Sequence, residues 1–148
     1  MKRMYVGGVV AALVGMSIVG CGGSAATLTQ EKAVGSWTLQ SGKGPDGDIA
    51  IVSTNPITLD IDADGTITGS SGCNNLMSSM EVSENGAVTL PEAGGALTLM
   101  ACEEPVMKAE SAFMQTLDGV TKGSIKGSLM TLEGDNGTLV FEKIEPQS

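Results

Sequence analysis

The sequence predicts a mainly β fold: a small, curled, antiparallel-rich sheet or pseudo-barrel of about eight strands with one helix packed on it. Short segments that alternate apolar and polar residues recur along the chain, as in strands with one solvated face. Turn dipeptides such as Asp64-Gly65 and Asn85-Gly86 separate several of them. A single stretch has helical periodicity. These features favour a sheet-rich domain with one helix.

The predicted strands are short and are joined by turns rather than linkers. Trp37 and Leu39 share one face of the first strand, and the size of the tryptophan suits a core anchor. A loop rich in Gly, Pro and Asp is expected over residues 41–48. The other extended segments fall at residues 56–62, 66–69, 79–82, 87–90, 96–100, 124–126, 129–132 and 138–142.

The helix is predicted from about Glu103 to Asp118. Pro105 suits its first turn, and Gly119 is placed to end it. One face is expected to cover the sheet. Its residues recur at spacings of three and four, with two methionines beside them: Val106, Glu110, Phe113 and Leu117, then Met107 and Met114.

The N-terminus has the pattern of a secretory signal peptide. Lys2 and Arg3 precede an uncharged stretch of 16 residues, which is short for a membrane-spanning helix. The run Ile18-Val19-Gly20-Cys21 resembles the lipobox of bacterial lipoproteins, which implies cleavage before Cys21 and its lipidation. Stable anchoring needs more than one acyl chain, as such an N-terminus provides. Gly22 rather than Asp follows the cysteine, so for a cell with two membranes the resemblance implies an outer-membrane location facing the periplasm.

This interpretation divides the chain into a signal peptide (1–20), a lipidated N-terminus and tether (21–33) and a folded domain (34–145). If Cys21 is alkylated, two of the three cysteines remain, Cys73 and Cys102. They could form a structural disulfide, a redox-active pair or a metal site. A structural disulfide is favoured, because no C-x-x-C motif and no histidine is present and the compartment is oxidising.

Charge and absent residue types exclude several functions. Cleavage removes Lys2 and Arg3 and no acid, which lowers the net charge from −9 to −11. Such a surface is expected to repel nucleic acid and anionic headgroups alike. With no histidine, a Ser-His-Asp or Cys-His catalytic arrangement and a His-ligated zinc site are excluded. We therefore expect no catalytic residues, no cofactor and no metal.

Three weaker patterns remain open. Asp60, Asp62 and Asp64 copy the first half of a calcium loop, but Ser71 stands where that loop needs a bidentate glutamate. Methionines 77, 80 and 100 could bind a cuprous ion, although core filling is the simpler interpretation. Asn74 and Asn75 could line a binding pocket, or they could be the turn residues beside a disulfide.

The order of motifs resembles the META domain (HslJ-like) family of bacterial envelope proteins. The most specific are Gly72-Cys73-Asn74, Met100-Ala101-Cys102 and Glu110-Ser111-Ala112-Phe113. The resemblance runs from about residue 34 to 144. It implies a compact β-rich domain linked to envelope stress, drug tolerance or secretion, and no known reaction. Leu99 replaces a common Arg, and Leu76 and Met80 replace common aromatics, so binding roles at those positions do not transfer.

Two functions follow as expectations. The first is a non-catalytic, membrane-anchored lipoprotein that supports stress tolerance or binds an envelope protein partner. The second is a carrier that holds an apolar ligand in the curled sheet. An enzyme that uses only carboxylates has no motif in its favour.

Overall fold

The computed structural model describes residues 24–147, so the predicted signal peptide and Cys21 lie outside the described residues. Within that range no helix is both long and apolar enough to cross a membrane. The helices are α1 (Gln30–Ala33), α2 (Glu104–Asp118) and a single 3-10 turn (Glu92–Gly94). The strands are β1 (Ala26–Thr27), β2 (Gly35–Gly44), β3 (Gly47–Asp48), β4 (Ile57–Ile61), β5 (Thr66–Ser71), β6 (Asn75–Ser79), β7 (Glu81–Val82), β8 (Val88–Thr89), β9 (Ala96–Leu97), β10 (Val120–Lys126), β11 (Leu129–Gly134) and β12 (Gly137–Lys143).

Ten of these strands form one antiparallel sheet. Its order is β1-β10-β11-β12-β2-β4-β5-β6-β9, with β3 paired to β2, while β7 and β8 form a separate ribbon. The two end strands, β1 and β9, do not pair with each other, so the sheet is not closed into a barrel. The predicted sheet-rich fold with one main helix is confirmed. The strand number exceeds the predicted eight because five strands are only two residues long.

The core lies between the sheet and α2. Trp37, Phe113 and Phe141 are fully buried. The rings of Phe113 on α2 and Phe141 on β12 meet edge to face with their centroids 6.4 Å apart, a preferred aromatic geometry. Trp37 is therefore a core anchor, as the sequence predicts.

Residues 26–33, assigned to a tether by sequence, are instead part of the domain. β1 pairs with β10, and the Leu28 N–H donates to the Gly123 carbonyl at 3.2 Å. Leu28 and Ala33 are fully buried, and the Trp37 indole N–H donates to the Ala33 carbonyl at 2.9 Å. Their apolar content was too sparse to show a period, but these contacts fix the segment to the sheet.

Three further boundaries differ from the prediction. Residues 41–48 are a continuation of β2 that turns into β3 rather than a loop, because β12 pairs along this part of β2. The sequence predicts the next extended segment at residues 79–82, whereas β6 already begins at Asn75, directly after the Cys73 loop. The strand predicted at 96–100 ends at Leu97. On α2, Met107 is exposed rather than packed beside the apolar face.

Truncation of Leu28 tests whether residues 26–33 stabilise the domain. Leu28→Ala removes a fully buried side chain, so we expect a loss of about 2–5 kcal/mol in the free energy of unfolding. Urea unfolding of the oxidised protein followed by Trp37 fluorescence measures it. Ala26→Ser, at an exposed position of the same segment, should change the value by less than about 0.5 kcal/mol. Equal stability of Leu28→Ala and wild type would restore the tether interpretation.

Candidate functional site

The Gly72-Cys73-Asn74 motif forms a tight loop between β5 and β6. The Ser71 N–H donates to the Asn74 carbonyl at 2.9 Å, which closes the loop. Gly72 has φ = +110°, a conformation that costs glycine little and strains other residues. The loop is buried at all four residues 71–74, so its polar groups need partners inside the protein.

A disulfide ties this loop to the chain that precedes α2. Cys73 and Cys102 are bonded, with their Cα atoms 5.8 Å apart. The predicted pairing is therefore present in the structure. In the chain-entropy model a loop of this length stabilises the fold by about 3–4 kcal/mol. Cys21, the predicted lipidation site, lies outside the described residues.

Glu110 of α2 supplies the partner that the loop needs. Its Oε2 accepts the backbone N–H groups of Cys73 at 3.2 Å and Asn74 at 2.8 Å, and the Ser71 hydroxyl also donates to it. Its Oε1 accepts the Asn74 side-chain amide at 2.8 Å. Glu110 is only 8% exposed, and these four donors offset the cost of burying its carboxylate.

The other end of the Asn74 side chain fixes the strand-like segment before the disulfide. Its Oδ1 accepts the Met100 N–H at 2.6 Å and the Thr98 hydroxyl at 3.0 Å. Its Nδ2 lies 3.4 Å from the Met100 carbonyl. One buried amide therefore bridges α2, the loop and the Met100-Ala101-Cys102 motif.

The two candidate asparagines have different positions. Asn74 is buried in the network, whereas Asn75 is exposed at the start of β6. The Asn75 backbone N–H donates to the Thr98 hydroxyl at 3.0 Å, and its carbonyl accepts the Thr98 N–H at 3.1 Å. Asn74 is thus a positioning residue within the fold, and Asn75 is the one with a side chain at the surface.

This network leaves two large apolar side chains in solvent. Leu99 is 99% exposed and Met100 is 54% exposed. Their backbone lies between Thr98 and Cys102, both of which are held by the contacts above. The result is an apolar tip, residues 99–100, on a restrained segment.

A separate apolar cavity of about 210 Å³ lies beside the same loop. It is lined by residues of β2, the segment from Ala50 to Ile57, Gly72 and the first half of α2, and it is partly open to solvent. Its apolar walls include Leu39, Val52, Ile57, Val106 and Ala109, and none of its lining residues is charged. For comparison, an engineered apolar cavity of about 150 Å³ binds benzene.

The acidic and methionine patterns have simpler roles in the structure. Asp60 accepts a hydrogen bond from the Ser36 hydroxyl across β2 and β4. Asp64 accepts the Thr66 N–H at 3.0 Å in the hairpin turn, and this bond lowers the pKa of the Asp64 carboxyl. Among residues 24–147, no three Cys, Asp or Glu side chains gather as a metal site. Met80 is buried in the core, while Met77 and Met100 face solvent.

The sequence matches the META domain family over residues 26–146. The chain belongs to the META domain family. The match begins at β1, in agreement with the packing of residues 26–33 on the sheet, and it confirms the resemblance found in the motifs. The family is one of envelope-associated proteins. No curated protein matches the chain.

Two solved structures share the META fold seen here. An NMR structure of a protein from Burkholderia xenovorans is 27% identical with a TM-score of 0.63, and the match covers 76% of this chain and 83% of that one. A second NMR structure is 21% identical with a TM-score of 0.60, and the match covers 79% of this chain and 96% of that one. The second likeness concerns the fold alone.

The residue that sequence reasoning undervalued is Glu110. An acid in the apolar stripe of α2, between Val106 and Phe113, was the available signal, because buried acids are rare unless their charge is paired or hydrogen-bonded. The helix period placed Glu110 on the sheet-facing side. It could not show that residues 71–74 supply the hydrogen-bond donors to the Glu110 carboxylate.

Substitution of Glu110 tests this network. Glu110→Gln keeps the side-chain shape but replaces one oxygen with an NH₂ group, which must face either the backbone N–H groups or the Asn74 amide. We expect a loss of about 2–4 kcal/mol in unfolding free energy, measured by urea titration with the disulfide intact. Glu104→Gln, exposed on the first turn of α2, is the matched control. Equal effects of both variants would contradict the bridging role.

Proposed function

We propose that this META protein is a non-catalytic lipoprotein of the cell envelope that supports stress tolerance by binding an envelope protein partner. In this proposal Cys21 is acylated and anchors the chain, with the domain facing the periplasm from the outer membrane. The lipobox resemblance and the membership of an envelope-associated family support the anchor. The binding role is supported by the surface of the domain.

The observation that favours partner binding is the apolar tip at residues 99–100. A leucine that is 99% exposed gains by burial against another protein. The disulfide and the Asn74 bonds already restrain its backbone, so binding requires less ordering of that segment. Apolar anchors of this kind supply much of the affinity in protein interfaces.

The polar cluster behind the tip supports a structural rather than a catalytic role. Both oxygens of Glu110 accept hydrogen bonds from the loop, and both ends of the Asn74 side chain are engaged. A general base would need a lone pair directed at a substrate proton. The lone pairs of the Glu110 and Asn74 oxygens instead accept hydrogen bonds from donors of the protein itself.

Capture of the lipidated protein from its own envelope after mild crosslinking tests the proposal. The double variant Leu99→Ser/Met100→Ser should reduce recovery of the partner about five- to thirtyfold, as expected for loss of interface anchors worth about 1–2 kcal/mol. Ile144→Ser removes an exposed apolar residue elsewhere and should leave recovery unchanged. A partner recovered equally with the double variant would contradict a role for the tip.

A second candidate function is a carrier for an apolar ligand. The uncharged cavity of about 210 Å³ beside Gly72 favours it. This site lies between one face of the sheet and α2, rather than inside a closed barrel. Its size suits a small ring or the end of an acyl chain.

Toluene binding tests the carrier function. In the purified full chain, NMR titration should show saturable shifts of the Val106 and Ile57 methyl groups with millimolar or tighter affinity. Ala109→Leu fills the cavity and should weaken binding at least tenfold. Ala112→Leu, on the same helix but outside the cavity lining, should not. Absence of shifts at saturating toluene would reject this cavity as a ligand site.

A further inference from the structure

Three lysines gather in one groove of this acidic protein. Lys32, Lys126 and Lys143 line a groove of about 360 Å³ together with Ser24 and Ala26. The mature chain contains only six lysines and no arginine, so half of its side-chain cations share this site. This cluster of positive charges contrasts with the net negative charge of the chain.

The fold brings these lysines together from three separate elements. Lys32 lies in α1, Lys126 ends β10 and Lys143 ends β12. β1 pairs with β10, which places the start of the described chain beside Lys126. The Lys143 N–H donates to the Ser128 carbonyl at 2.8 Å, which places the end of β12 beside the turn that follows Lys126.

The charges in the groove lack acidic partners. No Asp or Glu lines it. Within residues 24–147 the single lysine–carboxylate pair is Lys122 with Glu133, at 3.6 Å. On β12 the neighbouring Glu142 points to the opposite side of the strand from Lys143 and accepts a hydrogen bond from Gln40. The three groove ammonium groups are therefore available to an external anion.

One of these lysines has a restrained position. The Lys143 Nζ lies 5.5 Å from the centre of the Trp37 ring, within the range of cation–π attraction. Gly35, with φ = +135°, leaves room for its stem, because a Cβ there would lie 2.9 Å from the Lys143 Cε. The core tryptophan thus holds one cation at the groove.

The groove also lies where the chain leads to the predicted anchor. Ser24 is three residues from Cys21, a span of at most about 11 Å at full extension. Acyl chains on Cys21 would place that residue at the headgroup layer. Residues 26–33 pack on the sheet, so no long tether separates the groove from that layer.

We propose that this groove docks the domain on the membrane by binding the phosphates of anionic phospholipid headgroups. The proposal rests on the lipid anchor of the proposed function and goes beyond it by assigning an orientation. The anchor keeps the local lipid concentration high, so weak electrostatic contacts are enough. Each lysine near an anionic surface favours docking about fivefold. Acidic residues elsewhere are repelled by the same surface, which adds to the orientation.

Lysine acetylation of the lipidated mature chain in vesicles tests this proposal. The vesicles contain either 30% phosphatidylglycerol in phosphatidylethanolamine or phosphatidylcholine alone. In the anionic vesicles we expect Lys32, Lys126 and Lys143 to react three- to tenfold more slowly than in the neutral ones. Lys43, Lys108 and Lys122 are internal controls and should keep their rates. Protection should disappear in 0.5 M NaCl, because salt screens such contacts.

Charge-reversal variants give an independent measurement. Lys32→Glu/Lys126→Glu should abolish the protection of Lys143, whereas Lys43→Glu/Lys108→Glu, with the same net charge and equally exposed positions, should preserve it. Flotation of the protein with vesicles measures the anchor separately. Flotation with uniform acetylation of all six lysines would overturn the docking proposal and leave the anchor intact. Failure to float would overturn the anchor and the docking with it.

Discussion

The buried Glu110 carboxylate is the interaction on which the arrangement of this domain most depends. The backbone of α2 does not form strand-to-strand hydrogen bonds with the sheet, so side-chain contacts hold the helix on it. Glu110 supplies hydrogen bonds from α2 to the loop between β5 and β6, while Phe113 packs against the core at β12. This polar contact acts together with the Cys102 disulfide and the direct connection of α2 to β10 in fixing the helix on the sheet, and apolar contacts provide most of the burial.

Asn74 and the disulfide extend this constraint to the chain before α2. Asn74 donates to Glu110 and accepts from Met100, so the helix, the loop and the residues before Cys102 are ordered together. The disulfide acts mainly by limiting the conformations of the unfolded chain. The Asn74 side-chain amide acts in the folded state, where it ensures that no buried donor of this network is left without an acceptor. The two restraints are therefore not redundant. Reduction of the disulfide would leave the Glu110 and Asn74 bonds in place, and loss of Glu110 would leave the covalent link.

The sequence predicts the parts of this fold that are local. The alternation of Ile57, Leu59 and Ile61 and the period of α2 each follow from neighbouring residues. The pairing of Cys73 with Cys102 is not local, and it is predicted by counting the cysteines that remain once Cys21 is assigned to the lipid. The role of residues 26–33 and the partners of Glu110 depend on contacts between segments far apart in the chain. Leu28 is the one large apolar side chain among residues 26–33. Its burial depends on the space over Gly123, which no local pattern reports.

The two surfaces inferred here use different parts of the fold. The lysine groove adjoins β1, the first strand in the hydrogen-bonded order, and the apolar tip follows β9, the last strand in that order. They share no residue, so membrane contact through the lysine groove would leave the apolar tip free to bind a partner. Their chemistry also differs, since the groove attracts anions and the tip gains by losing water. Salt should therefore weaken the first contact and spare the second, which gives a physical means of separating the proposed membrane docking of the domain from partner binding in one protein.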